Sequence, residues 1–151
     1  MTRLLLSSLL AFSALATGCA TSQNVTLAQL TPARAITTAA LVPQDGNSAA
    51  MDDHVRTALM MQGVTARETV YPGTRQSNRV DAIVGYTDVW RWDVAMYLRS
   101  LTIQVFDART GNLLAMGRWD NSAFHGFQDA GQVTRNLMNE VFAKIRTNKA
   151  P

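Results

Sequence analysis

The segment YLRSLTIQVFDARTGNLLAMGRW, residues 97–119, predicts a β-hairpin and therefore a protein built around a sheet. Its first half alternates apolar and polar residues, a pattern typical of a strand with one buried and one solvated face. The apolar positions are Leu101, Ile103 and Val105. Residues 107–111 supply the turn, because Gly111 can adopt the positive φ that a tight connection needs. Residues 112–119 then return as the partner strand.

The flanking sequence adds two helices and three strands to this hairpin. Residues 129–146 predict an amphipathic helix, since apolar residues recur every fourth position and Asp129 begins it with capping-box spacing. Residues 48–62 predict another helix, which ends at Gly63. The order β-α-β-β-β-β-α predicts an α+β two-layer sandwich, in which a mixed, mostly antiparallel sheet carries two helices on one face. The three further strands are predicted at residues 34–42, 64–70 and 79–90.

An aromatic stretch, YTDVWRWDVAMY at residues 86–97, holds two of the three tryptophans and two of the three tyrosines. Trp90 and Trp92 are two residues apart, so in a strand they would point to the same face. Tryptophan, tyrosine and arginine are preferred anchors of interfaces, which favours a partner-binding surface here. The alternative is that these aromatic side chains cover the core or the sheet. The predicted partner-binding residues are Trp90, Arg91, Trp92, Phe124, His125 and Phe127.

The same stretch resembles a family of small, uncharacterised proteobacterial lipoproteins. Its members carry a Tyr-Thr-Asp-x-Trp-x-Trp-Asp segment and then a hairpin with Asp-x-x-Thr-Gly, which correspond to residues 86–93 and 107–111 here. The resemblance extends from about residue 36 to residue 145 and implies no catalytic residue. The predicted topology is also similar to the N-terminal domain of TolB and related envelope proteins, which bind partners, although that likeness concerns the fold alone.

The N-terminus, MTRLLLSSLLAFSALATGCA at residues 1–20, predicts export. One basic residue precedes an apolar run that is too short to span a bilayer, as in a secretory signal. The run ends in Leu-Ala-Thr-Gly-Cys, which resembles the lipobox of bacterial lipoproteins, and Cys19 is the only cysteine. The resemblance implies cleavage between Gly18 and Cys19. Cys19 would then carry a diacylglycerol and an amide-linked fatty acyl chain such as palmitate.

Two further expectations concern location and domain organisation. Ala20 follows the cysteine where an Asp would retain a lipoprotein at the inner membrane, so we expect attachment to the periplasmic face of the outer membrane. The inner membrane is the alternative. The predicted divisions are a signal peptide at 1–18, the lipidated cysteine and a flexible tether at 19–33, a single α+β periplasmic domain at 34–147, and a tail at 148–151.

The sequence contains no recognised catalytic pattern. It has no Gly-x-Ser-x-Gly elbow, no phosphate-binding loop and no spacing typical of a zinc site, so we predict no catalytic residue, metal or cofactor. The formal net charge of +3 gives no indication of nucleic-acid binding. The favoured interpretation is a non-enzymatic, membrane-anchored envelope lipoprotein that contacts an envelope protein or peptidoglycan. The alternative is an envelope hydrolase or ligand-binding lipoprotein with a polar site near Asp88, Arg91, Asp93 and His125.

Overall fold

The computed structural model describes residues 21–28, 35–122 and 126–147. These residues form a six-stranded mixed sheet and two helices, which is the α+β two-layer sandwich that the sequence predicts. The elements are β1 (Ser22–Leu27), β2 (Thr38–Pro43), α1 (Ala49–Met61), β3 (Thr65–Thr69), β4 (Ala82–Trp92), β5 (Met96–Asp107), β6 (Leu113–Asp120) and α2 (Ala130–Thr147).

The strands lie in the order β1-β6-β5-β4-β2-β3. The pairs β1–β6, β6–β5 and β5–β4 are antiparallel, whereas β2 runs parallel to both β3 and β4. The hairpin predicted at residues 97–119 is confirmed as β5 and β6, and Gly111 in its turn has a φ of 76°. The Asp107 carboxylate accepts hydrogen bonds from the backbone N–H and the hydroxyl of Thr110. The backbone groups of Asp107 also form hydrogen bonds across the turn.

The main core lies between the sheet and the two helices, which pack against each other and on the same face. The fourfold periodicity predicted for the last helix is confirmed, since its buried side chains include Val133, Leu137, Val141 and Ile145. Gly117 on β6 permits this close packing. A Cβ there would lie 2.7 Å from Val141 Cγ2 and 2.9 Å from Leu137 Cδ1, so a side chain at this position would force these side chains or the helix to shift.

A second, smaller apolar cluster lies on the opposite face of the sheet, which the sequence predicts to be solvated. Ile83 belongs to this cluster while Ala82 and Val84 belong to the main core, so this part of β4 is buried on both faces. The segment before β4 covers part of the cluster, because Arg75 lies over the Phe106 ring at 5.3 Å and Val80 is buried within it.

The interpretation of residues 19–33 as a flexible tether is wrong for residues 22–27, which form β1. The sequence pattern did not show this strand because Val25 is its only buried residue. Pairing with β6 and two contacts from α2 hold it in place. The Gln23 amide donates to Glu140 Oε2 at 2.7 Å, and Lys144 Nζ donates to the Val25 carbonyl at 2.8 Å. The hydrogen bond from Gln23 is the largest influence on the pKa of Glu140 and lowers it. The folded domain therefore begins near residue 22 and not at residue 34.

Candidate functional site

The β4–β5 hairpin projects beyond its neighbours at one end of the sheet. Val89 pairs with Ser100, Ser100 with Asp120, and Asp120 with Ser22, so these residues form a row across four strands. Residues 90–99 extend past this row. A register shift directly after Val89 leaves Arg99 as an extra residue on β5, and such bulges re-aim the side chains that follow them.

Side-chain exposure increases along one face of β4 towards the end of the hairpin. Asp88 is buried at 5% exposure, Trp90 is half-buried against the core, and Trp92 is 71% exposed. Trp90 pairs with Leu98 and Trp92 pairs with Met96, so the prediction that the two indoles share a face agrees with the strand register. The aromatic stretch is thus core at its beginning and surface at its end.

The exposed end of the hairpin carries apolar side chains that we call the tip surface. It consists of Trp92 (71% exposed), Val94 (83%), Met96 (55%) and Phe127 (59%). These are four of the eight large hydrophobic side chains that are exposed among the described residues. Phe127 follows β6 in the chain and meets the hairpin through Tyr97, edge to face, with ring centroids 6.3 Å apart. Two chain segments therefore expose apolar side chains at this end of the sheet.

Asn121 joins these two segments. Its side chain is buried and donates to the carbonyl of Leu98 at 3.1 Å on the hairpin and to the carbonyl of Gly126 at 3.2 Å beside Phe127. Its backbone N–H donates to the Arg99 carbonyl at the bulge, and its own carbonyl accepts from the Arg99 guanidinium. Asn121 thereby positions the tip surface without being part of it.

Asp88 has structural partners at the N-terminus of α1. Its Oδ2 accepts from the backbone N–H of Ser48, the N-cap residue, at 3.0 Å and from Trp90 Nε1 at 2.6 Å. An acidic group there satisfies helix N–H groups and interacts favourably with the helix dipole. Asn47 extends this arrangement, because its side-chain amide donates to the Tyr86 carbonyl and its Oδ1 accepts from the Asp88 N–H.

The structure brings together only some of the residues that the sequence suggests for a polar site. Asp88 is buried beneath the hairpin, whereas Arg91 and Asp93 are exposed further along it. His125 lies outside the described residues, as do Phe124, Gly18 and Cys19 of the other predicted sites. An open depression of about 440 Å³, lined by other residues that include Gln76, Asn78 and Arg109, lies near the β5–β6 turn.

The pKa shifts found in the described residues belong to structural contacts. Burial alone would raise the pKa of Asp81, but hydrogen bonds from the backbone and hydroxyl groups of Thr37 and Thr38 outweigh it and lower the pKa to about 2. Burial, followed by a 2.8 Å hydrogen bond donated to Asp52, raises the pKa of Tyr86. Asp81 precedes β4 and Tyr86 lies in the core, so neither group faces the tip surface.

Sequence reasoning missed Val94, Met96 and Asn121. A signal for the first two was present, because the connection between the strands reads Asp-Val-Ala-Met where a turn usually has glycine, asparagine or proline. Nothing near Asn121 in the sequence indicates which carbonyl groups it reaches. Within the three described ranges, no group of three or more His, Cys, Asp or Glu side chains is arranged to hold a metal. No helix in those ranges is long and apolar enough to cross a membrane.

No protein-family model matches the chain, and no curated protein matches it in sequence. Among solved structures it is similar to a PelC dodecamer from Paraburkholderia phytofirmans, with a TM-score of 0.55, 14% identity, and coverage of 83% of this chain and 97% of that one. A PelC variant dodecamer from the same organism gives a TM-score of 0.52 at 12% identity, with the same coverage.

A minor lipoprotein from Acinetobacter baumannii matches more weakly, with a TM-score of 0.36, 16% identity, and coverage of 78% of this chain and 96% of that one. The two PelC likenesses show a shared fold and nothing beyond it, and the third match is too weak to support a conclusion. Membership of the proteobacterial lipoprotein family and similarity to the TolB domain stay predictions.

Proposed function

We propose that the protein is an envelope lipoprotein, anchored in the outer membrane through Cys19, that acts by binding and not by catalysis. The lipobox-like Leu-Ala-Thr-Gly-Cys sequence supports the anchor, and Ala20 after it supports the outer membrane as the destination. The tip surface is the observation that supports a binding role. It gathers exposed apolar side chains at one end of the sheet, where an isolated domain would gain solubility from polar residues.

The surroundings of Asp88 also favour binding over the alternative of a hydrolase. A catalytic carboxylate must reach substrate, but the side chain of Asp88 is buried and bonded to Ser48 and Trp90. These contacts give Asp88 a role in joining α1 to β4. The exposed aromatic and basic residues beyond it, Trp92 and Arg91, are types that commonly anchor interfaces.

Self-assembly is a second candidate, because two structures of this fold are PelC dodecamers. The sheet ends in edge strands β1 and β3, and an edge strand can pair with another chain. Lys144 covers the Val25 carbonyl of β1, which favours β3 as the open edge. Light scattering on the purified lipidated protein tests this candidate. A molar mass several times that of one chain would support it, and the mass of one chain would contradict it.

Photo-cross-linking in intact cells tests the binding role. A photoreactive residue at Trp92 or Phe127 should form adducts with another envelope component, because both side chains belong to the tip surface. The same residue at Met61 is the matched control, since Met61 is similarly exposed but lies at the end of α1. Equal adduct formation at all three positions would contradict a dedicated binding surface.

A further inference from the structure

The chain enters the folded domain at the end of the sheet that carries the tip surface. Ser22 begins β1 and belongs to the row of paired residues that ends at Val89. The hairpin that carries Trp92 and Met96 extends beyond that row. Strand β1 therefore begins at the same end of the sheet as the projecting hairpin.

Chain lengths place the lipid attachment point and the tip surface within reach of the same plane. Cys19 precedes Ser22 by three residues, which span at most about 11 Å. Trp92 lies three residues beyond Val89 along β4, which corresponds to about 10 Å. Strand β1 is two strands away from β5 and three away from β4, so the sideways separations are about 10 Å from Met96 and about 14 Å from Trp92.

Strand β1 is held firmly against the rest of the domain, so the position of its first residue relative to the tip surface is fixed. Val25 is buried, β6 pairs with the whole strand, and α2 contacts it through Glu140 and Lys144. A bilayer that holds Cys19 would therefore meet the domain on the side of the tip surface and not on an arbitrary side. The short connection also leaves little room for a partner protein between that bilayer and the tip surface.

We infer that the tip surface inserts into the headgroup region of the bilayer that carries the Cys19 anchor. This rests on the proposed lipidation of Cys19 and names the ligand of the binding surface as the membrane itself. Tryptophan and phenylalanine are side chains that settle at the boundary between headgroups and acyl chains. Arg91 and Asp93 flank Trp92 with opposite formal charges, so the contact depends on apolar insertion and should persist at high salt.

A pair of methionines allows a matched test. Met96 belongs to the tip surface and Met60 lies near the end of α1, and both are exposed, at 55% and 69%. Each is replaced by cysteine in the full chain, where Cys19 is the only natural cysteine and its thiol would be occupied by lipid. The lipidated protein is labelled with an environment-sensitive fluorophore. It is then placed in vesicles of phosphatidylethanolamine and phosphatidylglycerol that contain brominated lipids as depth-dependent quenchers.

We expect the Met96 probe to lie about 5–10 Å below the headgroup surface and the Met60 probe to stay in water. Trp92→Ser should raise the Met96 probe towards the water, whereas Trp92→Phe should leave it in place. An acylated protein whose Met96 probe is no better quenched than the Met60 probe would overturn the membrane contact alone. Shielding of the Met96 probe in whole envelopes but not in vesicles would also overturn it, in favour of a protein partner. A protein mass without acyl groups would overturn both this inference and the proposed function.

Discussion

Replacing Asp88 should destabilise the domain strongly, because the structure gives this residue a structural role. Asp88→Ala removes the two hydrogen bonds that Oδ2 accepts from Ser48 and Trp90 and leaves both donors without that partner. Each such bond contributes about 1–2 kcal/mol, so we expect a loss of about 3 kcal/mol in the free energy of unfolding. For a domain of this size, that loss lowers Tm by about 10 °C. Asp88→Asn keeps an acceptor oxygen and should lose about half as much.

Thermal unfolding followed by circular dichroism measures this effect on the purified protein. Asp53→Ala is the control, since Asp53 is an exposed acidic residue of α1 and its removal should change stability by about 0.5 kcal/mol or less. The fluorescence of Trp90 should shift to longer wavelength in Asp88→Ala, because its indole loses the bond to the buried carboxylate. If Asp88→Ala unfolded at the same temperature as the wild type, the structural role of Asp88 would be refuted and the polar-site alternative would regain support.

Four further predictions follow from the fold and the sequence. Asp81→Asn should cost about 1 kcal/mol after allowance for solvent screening. Because the folded pKa of Asp81, about 2, lies below its ordinary value of 3.8, this stability is present above pH 4 and is lost as the pH falls towards 2, and an unchanged acid-unfolding curve would contradict it. Trp92→Ala should lose far less stability than Trp119→Ala in denaturant unfolding. Trp119 is only 4% exposed, so its replacement should cost about 3–5 kcal/mol, and similar losses in both variants would show that Trp92 is core. Gly117→Ala should cost about 1–3 kcal/mol, because its Cβ would overlap side chains of α2, and a neutral effect would place the helix further from the sheet. In a host with Asp-dependent sorting, Ala20→Asp should move the protein from the outer to the inner membrane fraction on a density gradient, and wild-type protein in the inner membrane would contradict the sorting prediction.

The sequence predicts those elements in which buried residues recur at a regular spacing along the chain. The alternation around Leu101 and Ile103 predicts β5, and the fourfold repeat through Leu137 and Val141 predicts α2, because one face of each element packs on the core. The order of seven of the eight elements, both helices among them, follows from this kind of pattern. Element boundaries differ by a few residues, as at the start of β2, where local pattern does not determine where pairing begins.

Features that depend on distant partners were not predictable from the sequence. Strand β1 forms by pairing with β6 and by contacts with Glu140 and Lys144, which are more than a hundred residues away in the chain. The bulge after Val89 changes which side chains face the core, and a period of two does not show such a shift. The sequence prediction grouped Trp90 with Trp92, and the division between half-buried Trp90 and exposed Trp92 needed the structure.

The lipidation of Cys19 is the central claim, and fatty acid labelling tests it most directly. Cells expressing the wild-type protein or Cys19→Ser are grown with a radiolabelled fatty acid and then separated into soluble and membrane fractions. We expect the wild-type protein to be labelled and found in the membrane fraction, whereas Cys19→Ser should carry no label. A Cys19→Ser variant that still incorporated the label, or a wild-type protein that did not, would contradict the account.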